Sequence, residues 1–299
     1  MDKSARSKLK FALFGNIYQA SKSASIQKLL SILQQRDADV LVEKAYYDFL
    51  TKVQQVVFPV SHIFEGDDFD ADFVISMGGD GTFLNSSHYV GDKHIPVLGI
   101  NMGRLGFLAN AGPEEMEEAV DALYHGKYDV EHHAMIEVST DGEPLSICTR
   151  ALNDIAVLKR DNASMISVHT SIDGEYLVTY QADGLIVSTP TGSTAYNLSN
   201  GGPIIVPQAG NLCLTAVAPH SLNIRPIVVK DESVVTLNVE SRSHQFLIAV
   251  DGRSAKCCEG MQLTIRKAPC DILIVRRPGQ SYFTTLREKM MWGVDGRKE

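Results

Sequence analysis

The chain has 299 residues, of which 44% are hydrophobic and 21% charged, so it is long enough for two domains with buried cores. This composition excludes collagen-like, low-complexity and largely disordered proteins. Its 28 lysines and arginines against 36 aspartates and glutamates give a net charge of -8, which does not favour binding to nucleic acid. The five cysteines form no CxxC pair, which predicts idle thiols in a reducing, cytoplasmic compartment rather than disulfides or a zinc site.

The first part of the chain alternates predicted strands with predicted helices. The run 71–77 is apolar throughout, as in a strand buried on both faces of a sheet. Pro113 and Gly126 mark the start and the end of a strong helix pattern. This alternation predicts a Rossmann-like α/β domain over residues 1–127, with a mostly parallel sheet covered by helices. The predicted strands are 10–14, 39–42, 71–77 and 95–100, and the predicted helices are 25–35, 46–56, 82–90 and 113–124.

After about residue 127 the sequence is typical of an antiparallel β domain. Runs rich in Val, Ile and Thr are separated by Asp-Gly pairs at 141–142, 173–174 and 251–252, which favour hairpin turns. We therefore predict a β-sandwich over residues 128–275. The segment 276–299 is expected to pack back on the first domain, with a helix over 282–292.

A long uncharged stretch, residues 184–224, is the part of the sequence that most needs checking for a membrane span. Gly, Ser, Thr and Asn residues interrupt it so often that it contains no run of the roughly 20 consecutive apolar residues that a membrane-spanning helix needs. This composition indicates a close-packed binding surface and predicts no membrane partner.

A glycine-rich loop, Gly78-Gly79-Asp80-Gly81-Thr82, follows a predicted buried strand and opens a predicted helix. Glycines let a ligand approach the backbone closely, and the amides at the start of a helix favour phosphate. A carboxylate among such amides suggests a base for a hydroxyl group or a contact for Mg²⁺ that bridges phosphates. The alternative is a tight turn with a capping aspartate, and the loop is neither a Walker A nor a GxGxxG motif.

Two further segments carry polar side chains suited to a nucleoside. Residues 188–197 read Ser-Thr-Pro-Thr-Gly-Ser-Thr-Ala-Tyr-Asn, and the ring of Tyr196 can stack on a base. Asn153 can pair with an adenine edge, and Asp154 can hold ribose hydroxyls. Taken alone, residues 188–197 are equally well explained by an ordinary loop, and Asn153-Asp154 is better explained by an Asx turn before a strand.

Together the three segments resemble the NAD kinase family, whose members phosphorylate the 2′-hydroxyl of the adenosine ribose of NAD. The resemblance runs from the first strand to about residue 286. The GGDGT loop is shared with diacylglycerol and sphingosine kinases and with phosphofructokinases, whereas the STPTGSTAY segment distinguishes NAD kinases. The motifs are GGDGTFL at 78–84, NMGRLGFL at 101–108, LND at 152–154, DGLIVSTPTGSTAYNLSNGGPI at 183–204 and PHSLNIRP at 219–226.

The resemblance implies a transferase that moves the γ-phosphate of ATP to NAD and forms NADP, and that is a homodimer or homotetramer. Asp80 would be the general base, and Mg²⁺ would neutralise the phosphates. Because Mg²⁺ commonly keeps water and substrate phosphates as ligands, no protein metal site is predicted. The phosphate loop would comprise Gly78, Gly79, Gly81 and Thr82, and the substrates would be bound by Asp80, Gly81, Asn153, Asp154, Asp183, Thr194, Ala195, Tyr196, Asn197, Ser199, Ala218 and Arg253.

Two residues depart from the family pattern. The usual Asn-Glu pair is Asn153-Asp154 here, and Gln181 stands where many members carry Arg or Lys. Arg104 could meet phosphate or pin its own loop, and His220 could touch ligand or make a structural hydrogen bond. Two other functions compete: a lipid or sugar kinase, which would not explain STPTGSTAY, and a non-catalytic NAD(H) or NADP(H) sensor, which would not need a base at position 80.

Overall fold

The computed structural model describes residues 8–17, 23–103, 106–109, 111–160 and 164–293. The chain divides into two compact units, one formed by residues 1–132 together with 272–299 and the other by residues 133–271. Arg104 lies outside the described residues.

Parallel strands form a sheet in the described part of the first unit, in the order β3-β2-β1-β4-β5, and Ile274, near the end of the chain's last strand, pairs in parallel with Val97 of β5. Strand β4 is buried along its whole length, as the apolar run predicts. The chain goes from β1 to β2 on one side and later to β4 on the other, so the strand order reverses between β1 and β4. The strands are β1 (Lys10–Gly15), β2 (Asp39–Glu43), β3 (His62–Phe64), β4 (Phe73–Gly78) and β5 (Val97–Asn101).

The helices that cover this sheet are α1 (Ser23–Gln35), α2 (Lys44–Asp48), α3 (Asp80–Val90) and α4 (Met116–His125). Apolar side chains of α1 and α4 join those of the strands in one core. The predicted end of α4 is confirmed, because Gly126 adopts a left-handed conformation with φ 64°.

All four helix starts differ from the prediction: α1 and α3 begin two residues early, at Ser23 and Asp80, and the starts of α2 and α4 are shifted by carboxylates. The helix α2 starts at Lys44 rather than residue 46, because the Glu43 carboxylate accepts the amides of Ala45 and Tyr46. It then passes into a π-helical turn, Phe49–Val53. The helix α4 starts three residues after Pro113, since the Glu115 carboxylate accepts the Gly112 amide and closes a turn ahead of it.

The second unit contains two antiparallel sheets that share a core of apolar side chains, as predicted for a β-sandwich. One sheet has the order β13-β12-β11-β8-β15-β16, and the other contains β10-β9-β14-β17. The strands are β6 (Asp129–Thr140), β7 (Arg150–Ala151), β8 (Asp154–Lys159), β9 (Ile166–Ile172), β10 (Glu175–Ala182), β11 (Gly184–Ser188), β12 (Asn211–Val217), β13 (Ile227–Lys230), β14 (Val235–Glu240), β15 (Gln245–Val250), β16 (Arg253–Cys258) and β17 (Gln262–Arg276).

Two of the three predicted Asp-Gly turns close two-residue hairpins. Asp173 and Gly174 have φ of 53° and 83°, and Asp251 and Gly252 have φ of 47° and 80°. Positive φ at both central residues defines the type I′ turn that suits the twist of paired strands. The pair 141–142 lies instead in the longer loop from β6 to β7.

The last described element is the helix α6 (Tyr282–Met290), which was predicted over residues 282–292. Ser281 caps its start, since the Ser281 hydroxyl accepts the amide of Phe283, and the helix buries Leu286. Just before it, Arg277 pairs with Glu115 at 2.6 Å, which connects the residues ahead of α6 to the start of α4. None of the helices in the described residues is both long and apolar enough to cross a membrane.

Candidate active site

The Asp80 carboxylate is held by a loop that is distant in sequence. Asp80 is the first residue of α3, and its oxygens accept backbone N–H bonds from Phe107 at 3.0 Å, Leu108 at 3.0 Å and Ala109 at 3.1 Å. These three loop residues are buried. Hydrogen bonds from amides to a carboxylate are charge-assisted and strongly oriented, so this loop fixes the direction of the carboxylate.

Gly106 is required at its position because the carboxylate lies against it. A Cβ atom on Gly106 would be 2.1 Å from Oδ1 of Asp80, closer than any van der Waals contact. The amide of Gly106 bonds to the carbonyl of Ala109 at 3.3 Å, and the side-chain amide of Asn101 bonds to the same carbonyl at 3.2 Å. Part of the NMGRLGFL motif therefore holds Asp80 in place. We call residues 106–109, which make these contacts, the cradle of Asp80.

The last helix adds a cation to Asp80. The ammonium of Lys289 lies 3.3 Å from Oδ2 of Asp80 and 4.7 Å from the ring centroid of Phe107. The ring of Tyr282, at the other end of α6, is 6.2 Å from the same phenyl ring. Aromatic faces attract ammonium groups, so Phe107 keeps the lysine side chain beside the carboxylate. No sequence signal pointed to Lys289.

A cavity of about 490 Å³ opens beside the glycine-rich loop. Gly15, Glu43 and Gly79 line it, each at or directly after the carboxyl end of a parallel strand. Ligands of open α/β sheets bind at such strand ends. The Asp80 side chain points to its cradle, while its two neighbours face the cavity. The other described residues lining the cavity are Asn16, Ile17, Ala45, Gly81, Thr82, Asn85 and Tyr89.

In the second unit, the Asp251 carboxylate organises the segment that carries Asn153 and Asp154. It accepts the amides of Leu152 at 2.8 Å, Asn153 at 2.8 Å and Asp154 at 3.1 Å. The sequence singled out Asp251 only as part of a turn. Its side chain acts as the anchor for residues nearly a hundred positions earlier in the chain.

Burial sets the protonation of this pair of aspartates. It raises the pKa of Asp154 to about 7, and the carboxylate of Asp251 adds to that rise. Burial also raises the pKa of Asp251, against the opposing effect of the three amides and of Arg253. Around neutral pH, Asp154 can therefore act as an acceptor in its charged form or as a donor in its neutral form.

Replacing Asp154 with asparagine is expected to change how stability depends on pH. The folded state holds a proton on Asp154 that the unfolded chain releases near pH 4, so stability falls as pH rises from about 4 to about 7, by up to about 1.4 kcal/mol per pH unit. The asparagine side chain carries no such proton. In urea unfolding from pH 4.5 to 8, the free energy of unfolding of the variant, relative to that of the wild type, should rise up to about pH 7 and stay constant above it. Parallel profiles for the two proteins would contradict the assignment.

The STPTGSTAY segment packs directly on Asn153. Thr189 donates its amide to the carbonyl of Asn153 at 2.9 Å and its hydroxyl to the carbonyl of Leu152 at 2.6 Å. A Cβ atom on Gly192 would lie 2.1 Å from that Asn153 carbonyl, so this close approach needs glycine. The hydroxyl of Thr191 bonds to the buried His133 at 2.8 Å, a support that sequence reasoning missed. The structure thus brings two of the predicted binding segments together.

The residues at the end of this segment divide into exposed and structural ones. A 3₁₀ turn, Thr191–Thr194, leads into a short helix α5 (Tyr196–Ser199), and Tyr196 is 39% exposed. Asn197 is fully buried, and its side chain bonds to Ser193, Pro203 and Thr215. Asn197 therefore holds the segment in place. Thr194 and Ala195 are half-buried, and Ser199 is exposed.

The side-chain oxygen of Asn153 is buried and accepts no hydrogen bond from the described part of the chain. A buried acceptor without a donor costs free energy, so a ligand that donates to this oxygen would gain from filling the position.

The remaining predicted residues border the six-stranded sheet of the second unit, at strands β11, β12 and β16. Asp183 pairs with Lys159 at 2.8 Å, and its amide bonds to the carbonyl of Val217. Ala218, directly after β12, is exposed and has a φ of 44°, which is rare for a residue with a side chain. Arg253 is half-buried at the start of β16, directly after the Asp251 turn.

Comparison with known proteins matches most of the chain to the family that the sequence motifs resemble. The sequence profile of the ATP-NAD kinase N-terminal domain matches residues 11–128, and that of the ATP-NAD kinase C-terminal domain matches residues 152–276. An NAD kinase from Bacteroides fragilis is 52% identical over 289 residues, which are 97% of this chain and 100% of that protein. An NAD kinase from Porphyromonas gingivalis is 40% identical over 285 residues, covering 95% of this chain and 98% of that protein.

Two solved structures are similar. The crystal structure of yeast NADH kinase complexed with NADH has a TM-score of 0.87 at 23% identity, covering 98% of this chain and 91% of that one. This likeness concerns the fold alone. The crystal structure of an NAD kinase from Archaeoglobus fulgidus in complex with ATP has a TM-score of 0.74 at 27% identity, covering 95% of this chain and 99% of that one.

Proposed function

The chain belongs to the NAD kinase family, and we propose that it phosphorylates the 2′-hydroxyl of the adenosine ribose of NAD with ATP as the donor. The observation that carries this proposal is the Asp80 carboxylate, fixed by three backbone amides at the start of α3. The cavity at the strand ends adjoins it through Gly79 and Gly81. A positioned carboxylate beside a cavity lined by a glycine-rich loop is an arrangement suited to phosphoryl transfer to an alcohol.

Asp80 acts as the general base in this reaction. An alcohol becomes an effective nucleophile only when its proton has an acceptor within hydrogen-bond reach. As Asp80 takes that proton, the 2′-oxygen forms a bond to the γ-phosphorus of ATP, and the bond from this phosphorus to the bridging oxygen breaks. The products are NADP and ADP, and the proton passes from Asp80 to solvent. The cradle at 106–109 supplies the alignment on which such a transfer depends.

The triphosphate lies in the cavity lined by the glycine-rich loop. In the first turn of α3 the Thr82 amide already donates to the Gly79 carbonyl at 3.0 Å, so the Gly81 amide and the Thr82 hydroxyl are the groups suited to phosphate oxygens. None of the described lining residues is a lysine or arginine. A Mg²⁺ ion held by phosphates and water fits this lining, which includes the oxygen-bearing side chains of Asn85 and Glu43. No cluster of three or more His, Cys, Asp or Glu metal ligands occurs in the described residues. When bound, the ion neutralises phosphate charge.

The adenosine of NAD is bound by the second unit. The free oxygen of Asn153 accepts from the exocyclic amine of adenine, and Asp154 holds ribose hydroxyls. Tyr196 stacks on the base, with Thr194 and Ala195 beside it. Asp183, Ser199, Ala218 and Arg253 contribute to the remainder of the dinucleotide. Because Asp154 is one methylene shorter than the usual glutamate, its contact to ribose is shifted or bridged by water.

Replacing Tyr196 with alanine is expected to weaken NAD binding by more than about tenfold, because a base stacked on an aromatic ring contributes roughly 1–3 kcal/mol. Isothermal titration with NAD measures this directly. Tyr176 is a matched control, since it is exposed in the same unit but lies outside every motif, and Tyr176→Ala should bind NAD as the wild type does. An unchanged affinity in the Tyr196 variant would remove this residue from the pocket.

NADP formation by the purified protein with NAD, ATP and Mg²⁺ tests the proposed function. We expect product only when ATP is present. If NAD raised the melting temperature without any NADP appearing, the protein would be a dinucleotide sensor and the proposal would fail. The family resemblance also supports a homodimer or homotetramer. The acidic composition and the five free thiols support a reducing, cytoplasmic compartment.

A further inference from the structure

We propose that Lys289 is a catalytic side chain that changes partners during the reaction: its ammonium neutralises Asp80 before substrate binds and then contacts the transferred phosphoryl group. This proposal rests on the proposed function, because it assigns a role in the same phosphoryl transfer. No motif in the sequence marked this residue.

The first step of the argument concerns the acceptor positions of Asp80. A carboxylate has about four lone-pair positions for hydrogen bonds. Three are taken by the backbone amides of the cradle, and the fourth donor is the Lys289 ammonium. A substrate hydroxyl must donate to the same carboxylate before it can lose its proton. One of the four donors must therefore leave when substrate binds.

Lys289 is the donor that can leave. The amides of Phe107, Leu108 and Ala109 belong to a buried backbone, whereas Lys289 sits near the end of an exposed helix on a flexible stem of four carbons. Its distance to Asp80, 3.3 Å, is also the longest of the four. Moving one side chain leaves the cradle intact, and moving an amide would break it.

The displaced ammonium stays close to the reaction. Its contact with the Phe107 ring, 4.7 Å from the centroid, keeps the lysine stem against the cradle. The attacking oxygen gives its proton to Asp80 while it bonds to phosphorus, so the phosphoryl group passes within a few ångströms of this carboxylate. Charge spreads over the phosphoryl oxygens in the transition state, and a fixed cation there lowers the barrier. Among the described residues, the cavity lining offers no such cation.

The experiment compares Lys289→Met, Lys289→Arg and Arg287→Met with the wild type in NADP formation. Arg287 is the matched control, because it is an exposed cation on the same helix that bonds to Thr284 and not to Asp80. We expect Lys289→Met to lose about tenfold to a hundredfold in kcat, with the KM for NAD and the melting temperature nearly unchanged. Lys289→Arg should recover part of the rate, and Arg287→Met should keep all of it.

The outcomes separate this proposal from the proposed function. If the wild type formed no NADP, the proposed function would fail. If the wild type were active and Lys289→Met matched or exceeded its kcat, only the role of Lys289 would be overturned. A variant with lower melting temperature and a parallel loss in kcat and NAD affinity would also overturn it, because that pattern shows a structural role. A selective loss of kcat with partial rescue by arginine would support it.

Discussion

Replacing Asp80 with asparagine is expected to lower kcat by at least about a thousandfold, at the upper range of what a general base contributes. Asparagine has the size of aspartate but cannot take up the 2′-hydroxyl proton. Its NH₂ group would also face donors, because the two carboxylate oxygens accept three amides and the Lys289 ammonium. NAD binding should change little, because the residues proposed for adenosine belong to the second unit.

The measurement is steady-state NADP formation together with calorimetric NAD binding. Asp92→Asn is a suitable control, because it removes a carboxylate just beyond the other end of α3. It should leave kcat unaltered. If the Asp80 variant formed NADP at a rate near that of the wild type, the assignment of Asp80 as the general base would be wrong. A variant that also failed to bind NAD would show that Asp80 serves binding as well as proton transfer.

The fold was predictable wherever a structural signal is local. The apolar run that forms β4 predicts a buried strand without reference to any distant residue. Gly126 predicts the end of α4 because glycine readily adopts the left-handed conformation found there. The Asp-Gly pairs at 173–174 and 251–252 likewise form the hairpins that their backbone angles favour. The start of α4 was misjudged because it is decided by a side chain, Glu115, that closes a turn before the helix.

The partners of the proposed base could not be predicted in the same way. The amides that hold Asp80 lie 27 to 29 residues further along, and Lys289 lies 209 residues away. Every residue except proline has a backbone amide, so the sequence does not show which amides bind a carboxylate. Nothing in the local sequence distinguishes Lys289 from other lysines on an exposed helix. Asp251 illustrates the same limit, since its turn was visible but its three bonds to residues 152–154 depend on the folded sheet.

A single methyl group on Gly106 is expected to cost about a hundredfold in kcat, the loss that follows when a catalytic group is displaced by about 1 Å. The added Cβ atom would lie 2.1 Å from Oδ1 of Asp80, 2.8 Å from its Cγ and 3.1 Å from the carbonyl of Ala109. The carboxylate must therefore turn away from the cradle, or the cradle must move outwards. Either movement breaks the bonds from Leu108 and Ala109 that orient the base. Overpacking of this kind also costs about 1–3 kcal/mol of stability.

Gly103→Ala provides the matched control for this substitution, because it adds the same methyl group to the same motif. Its Cβ atom would have only Oδ1 of Asn101 within 4 Å among the described residues, at 3.9 Å, which is ordinary contact. We therefore expect Gly103→Ala to keep its kcat, and Gly106→Ala to lose kcat while NAD binding to the second unit persists. Equal activity in the two alanine variants would mean that the cradle yields without disturbing Asp80. The geometry would then be a resting arrangement, and alignment of the base would come from the substrates instead.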